Sequence, residues 1–130
     1  MAKKGRQLAA AYLAKAEQFL AGAEAAVHED RYDSALLLAV HAGISSGDAA
    51  CAALIGEVSA SRNHMEAVKL HERAAGSSNE VKSKARQLAD LIGQKNTVEY
   101  QSRRTKREEA DRAVVQARRL FDWAAGQVDR

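Results

Sequence analysis

The stretch SALLLAVHAGISSGDAACAALIGEV, residues 34 to 58, has the length of a long helix but almost nothing to show to water. Between Ala35 and Ile55 only His41, Ser45, Ser46 and Asp48 are polar, so a helix built on it has almost no solvent face and must be surrounded by other helices. Gly43 and Gly47 stand one turn apart among many alanines, which lets neighbouring backbones come close despite a cost of roughly 1 kcal/mol per glycine in a helix. This is the expected central helix of the fold, running from about Ser34 to Val58.

On its N-terminal side, Leu8, Ala9, Tyr12, Leu13, Ala16, Phe19, Leu20, Ala23 and Val27 recur at steps of three and four, which predicts an amphipathic first helix from Gly5 to about His28. HEDRYD then breaks the pattern, with Asp30 or Asp33 available to cap the central helix. On its C-terminal side GEVSASRN reads as a loop. Asn63 is the expected cap of a short helix, HMEAVKLHERAA, that ends at Gly76. Asn79 is the expected cap of a fourth helix reaching about Tyr100, with Val81, Ala85, Leu88, Leu91 and Ile92 as its buried stripe. Thr105 and Glu108 have the spacing of a capping box for a last helix carrying Ala110, Ala113, Val114, Ala117, Leu120, Phe121 and Ala124. The fold class is therefore all-α: an up-and-down antiparallel bundle of four long helices plus one short helix, the short one inserted between the second and fourth.

The chain has 130 residues, no proline and one cysteine, so a single domain over 1–130 is expected, without a disulfide framework and with a reducing cytoplasm as its setting. Lys15, Glu17 and Gln18 interrupt the first apolar run before it reaches the length of a signal or membrane segment, and no membrane association is expected. A net charge of +3 points only weakly to nucleic acid.

His41, Ser45 and Asp48 share one face of the central helix and could form a hydrogen-bonded strip. A buried carboxylate needs partners, and Ser45, His41, His64 or an arginine are the candidates for Asp48. The stacking puts Ser45 between the other two, which is the wrong order for a nucleophilic triad. Cys51 has acidic and apolar neighbours that make it inert. His64 and His71 lack the spacing and the further donors of a metal site; His64 suits a cap-region role and His71 a solvated surface. SRRTKR, residues 102 to 107, gathers Arg103, Arg104, Lys106 and Arg107 beside Tyr100 at a helix start, a candidate phosphate site whose alternative is pairing with Glu108, Glu109 and Asp111. No metal and no cofactor are implied.

KAEQFLAGAEAAVHEDRYDSALLLAVHAGISSGDAACAALIG, with Tyr32 after the turn, resembles the opening hairpin of the HEPN family of small α-helical proteins. SRNHMEAVKLHE and LADLIGQKNTVEYQSRRTKREEADRAVVQARRLFDWAAG extend the similarity, with Glu99-Tyr100 and the last helix as its ending. The resemblance implies a helical bundle with a homodimeric habit. It implies metal-independent ribonuclease activity where an arginine and a histidine lie about four to six residues apart, the arginine steadying phosphate and the histidine moving the 2′-hydroxyl proton. Here Arg62 precedes His64 too closely and His71 too distantly, and no histidine follows Arg103 or Arg104. The expected function is thus a non-catalytic binding or regulatory module, homodimeric and associated with RNA or a nucleotide in a stress, toxin–antitoxin or defence setting. Its binding residues would be His41, Ser45, Asp48, His64, Tyr100, Arg103 and Arg104. The alternatives are a divergent ribonuclease using His64 with a nearby arginine such as Arg62, and a purely structural bundle that docks a protein partner.

Overall fold

A computed structural model describes residues 2–59 and 64–129. These form five helices: α1 (Ala2–His28), α2 (Tyr32–Ile55), α3 (Met65–Ala75), α4 (Asn79–Tyr100) and α5 (Arg107–Asp129). The long helices make the bundle, and α2 lies at its centre against α1, α4 and α5. Every residue of α2 from Ala42 to Ala52 is buried. It is long and apolar enough to cross a membrane by length and composition, but 67% of its apolar window is covered by the fold itself.

The small residues of α2 are what admit its neighbours. A Cβ at Gly43 would lie 2.5 Å from Leu91 Cδ2 of α4 and 3.4 Å from Leu120 Cδ1 of α5; one at Gly47 would lie 3.2 Å from Leu88 and 3.6 Å from the His71 ring. With Leu20, Leu36 and Val40, these leucines make the core. Arg118 of α5 reaches Glu24 of α1 at 2.5 Å across its surface.

Several helix ends differ from the sequence reading. α2 starts two residues early, at Tyr32, and ends at Ile55, capped by Gly56, whose φ of 72° places it in the left-handed region that glycine tolerates best. Neither Asp30 nor Asp33 caps it; Arg31 stands at the cap position and Asp33 falls within the first turn. Asp30 sits at φ 60° and accepts the Tyr32 hydroxyl, while Asp33 accepts the backbone N–H of Thr105 at 2.9 Å. That bond replaces the expected Thr105–Glu108 box: α5 begins at Arg107, and Glu109 takes the free N–H of Lys106 at 2.9 Å. α4 is capped by Ser78, one residue before the expected Asn79, through Val81 N–H at 3.3 Å. The proposed cap Asn63 lies outside the described residues.

α3 is the short element. It packs against α4 and α2 and presents Ala67, Val68, Leu70, His71 and Ala75 inward.

Candidate functional site

The expected strip of His41, Ser45 and Asp48 does not form: no hydrogen bond joins these three among the described residues. Asp48 is 5% exposed, and its carboxylate accepts the backbone N–H of Ser59 at 2.9 Å and the Ser59 hydroxyl at 3.1 Å. Its partner is therefore the segment after α2, not a histidine or an arginine. Burial raises the Asp48 pKa, and the two Ser59 bonds pull against that shift. Asp48 anchors the chain where it leaves α2. Ser45 is buried on the same helix. Cys51, one turn further on, is pushed up to about 12 by burial and then by Asp48, which leaves its thiol protonated and inert.

His41 has a different neighbourhood. Its half-buried ring lies 5.7 Å from Phe19 of α1 on one side and meets the His64 ring edge-to-face at 5.6 Å on the other. Burial lowers both imidazole pKa values. His64 further lowers that of His41; Lys95 lowers both while Glu99 opposes it. Both rings are thereby biased to the neutral form near pH 7, each with one N–H donor and one acceptor.

His64 opens onto a cleft of about 300 Å³ lined also by Met65, Lys95, Asn96, Glu99 and Tyr100. The register of α4 supplies its polar wall. Lys95 and Glu99, one turn apart, pair at 3.1 Å with side chains only 16% and 31% exposed. Tyr100 stands 78% exposed at the end of α4. The His64 imidazole with His41 against it, the Lys95 ammonium paired with the Glu99 carboxylate, a carboxamide and an aromatic face thus gather where the N-terminal end of α3 meets α4. The arrangement can donate hydrogen bonds and positive charge to an anion and offer a ring for stacking.

A scan against protein families matches the HEPN domain model over residues 9–127. This chain belongs to the HEPN family. No curated protein and no solved structure matches it significantly. Membership agrees with the all-α bundle and with the resemblance carried by the helical hairpin and the last helix.

Within this HEPN domain, the other sequence candidates fall away from the cleft. Arg103 is held by Glu109 through paired bonds of 2.8 and 3.0 Å. That guanidinium, together with Lys106 N–H, holds the Glu109 carboxyl down at about 2. Arg107 lies 3.8 Å from Asp111. Two of the four cations of the basic run, Arg103 and Arg107, are thus paired with carboxylates of α5's first turns. Arg104 is exposed beside Asp33 at the α1–α2 turn, in a separate hollow with Thr105. Arg62 lies outside the described residues.

His71 overturns its expected place on the surface. It is fully buried, with its ring stacked on Trp123 of α5 at 5.3 Å and 18° between planes. Gly47 of α2 leaves the room for it, which the sequence reading attributed only to backbone packing. Lys95 and Asn96 were the residues missed. The signal for Lys95 was present in its helical pairing with Glu99, just before the already noted Tyr100.

Proposed function

We propose that this HEPN domain is a binding module for a phosphate-bearing ligand, RNA or a nucleotide, taken into the cleft of His64, Lys95 and Tyr100. In this reading it acts as a homodimer in a cytoplasmic stress, toxin–antitoxin or defence setting. The observation that carries the reading is the meeting of His41 and His64 from two helices, with Lys95 at the same cleft. Lys95 supplies the permanent charge, and its Glu99 partner orients it. The imidazoles donate neutral hydrogen bonds at pH 7 and charge-assisted ones once protonated. Tyr100 stacks on a base.

The test is binding of a fluorescein-labelled single-stranded RNA to the full chain, titrated at several salt concentrations. Affinity falls steeply with salt for a phosphate binder, and both His64→Ala and Lys95→Ala weaken it at least about tenfold. Because burial holds His41 and His64 below 6.5, binding near neutrality rests on Lys95 and on neutral imidazole donors, and wild-type affinity changes little from pH 8 to 7. Unchanged affinity in both variants removes the cleft as the site. Salt-insensitive capture of a protein by an RNA-silent chain favours a structural docking bundle instead. Light scattering tests the dimer.

A second reading, a metal-independent ribonuclease, is favoured by the same imidazole pair. One ring would accept the 2′-hydroxyl proton as that oxygen attacks phosphorus, and the other would protonate the departing 5′-oxygen, leaving a 2′,3′-cyclic phosphate. Cleavage lost in both His41→Ala and His64→Ala supports it; cleavage indifferent to either removes that histidine from the chemistry.

A further inference from the structure

His71 is a titratable group that the cleft does not use, and its placement is unusual. It is 0% exposed, and neither Nδ1 nor Nε2 has a hydrogen-bond partner among the described residues. Buried imidazoles are ordinarily satisfied, because an orphaned polar atom gives up its hydration with nothing in exchange. Here the ring is treated as an apolar plate between Trp123 and Gly47. It is also the described contact by which α3 reaches α5, since the helix otherwise lies on α4 and α2.

Among the described residues, the elements around it offer no counter-ion. On α5, Asp122 lies near Arg118 at 3.9 Å. On α4, Glu80 accepts the Trp123 indole N–H at 3.0 Å. On α2, the Asp48 carboxylate is turned to Ser59. On α3 itself Glu72 is exposed, and the exposed Arg73 pairs with Glu57 at 3.1 Å. A proton on His71 would therefore be a buried, unpaired charge.

We propose that His71 makes α3 an acid-released latch: protonation expels the ring from between Trp123 and Gly47, frees α3 from the bundle and carries His64 away from His41. The release of α3 stands on the geometry of His71 alone; its consequence for ligand binding rests on the cleft reading. Burial pushes the His71 imidazole down to about 4 from its ordinary 6.5. A lowered histidine value stabilises the docked state above 6.5 and withdraws that stability as pH falls toward 4. The undocked fraction relative to docked rises roughly tenfold per pH unit across that interval.

Trp123 is the only tryptophan in the chain, so its emission reports directly on the stack. The experiment follows Trp123 fluorescence and far-ultraviolet helicity of the full chain from pH 8 to 4, in wild type and in His71→Phe, which keeps a ring but cannot take a proton. The wild type is expected to show a reversible shift of Trp123 emission to longer wavelength between about pH 6 and 4 with most helicity retained. The shift disappears, or moves at least about one pH unit lower, in His71→Phe. An identical transition in both proteins, or none in the wild type, overturns the latch. Proton NMR of the His71 ring in the wild type decides independently of that variant: protonation coincident with the Trp123 change supports the latch, and free titration near 6.5 without such a change sinks it. RNA binding at pH 7 that is lost below the transition in wild type, but kept in His71→Phe, joins the latch to the site. Absence of RNA binding at every pH refutes the cleft reading, while the Trp123 transition still decides the latch.

Discussion

α2 carries His41 and the start of α3 carries His64, whose rings meet beside the cleft, yet the two helices are held in opposite ways. α2 is enclosed by three long helices and packs through glycine and alanine against buried leucines. α3 has eleven residues, one packed face, and a buried imidazole with unsatisfied nitrogens as part of its anchor. The difference teaches where the cleft can change: His41 is fixed to the most buried helix, and His64 rides on the least secured one.

The strongest break of this contrast is Leu120→Ala. Leu120 is fully buried in the α2 seam, and its truncation is expected to cost about 3 kcal/mol of global stability in a urea melt. Val68→Ala, on the inner face of α3, removes about 1.5 kcal/mol of apolar burial. Its effect should fall on α3 first, so hydrogen exchange quickens in α3 amides while those of α2 stay protected. Equal loss of protection in both helices would show that α3 and α2 open as one unit.

Asp48→Ala tests the tether between them and is expected to cost about 1 kcal/mol, because the amide and hydroxyl of Ser59 lose their acceptor. The pH dependence sharpens it. A carboxyl whose folded pKa is raised binds its proton more tightly in the native state, so its stabilising share is present at low pH and is lost as pH rises through the folded value. Asp48→Asn removes that slope, which a series of melts from pH 3.8 upward would show. The smallest effect belongs to Glu109→Gln at the far end of the bundle, about 0.5 kcal/mol after solvent screening. Its sign is opposite: a depressed carboxyl stabilises above 4.5 and loses that contribution as pH falls toward about 2, so the variant should differ least from wild type in acid.

The bundle itself was legible because hydrophobic period and glycine spacing report which faces are buried. α2 was readable as central from its lack of a polar face, and the last helix from its stripe of alanines with Leu120 and Phe121. Helix ends were legible only to within a few residues. Ser78 and Asn79 are both good caps, and nothing local tells that Asp33 will spend its carboxylate on Thr105 from the other end of the chain.

The site divides the same way. The sequence by itself determined that His41 and Asp48 sit on a helix with almost no solvent face, that Cys51 is unreactive, and that the catalytic arginine–histidine spacing of the resembled family is missing. Those conclusions need only the 3.6-residue period and the identity of neighbours. Only the tertiary structure decided that Asp48 binds Ser59, that His41 meets His64 beside Lys95, and that His71 lies against Trp123. Each is a contact between different elements or with the loop after α2. The docking angle and depth of α3 depend on packing across several helices, which periodicity along one helix does not encode.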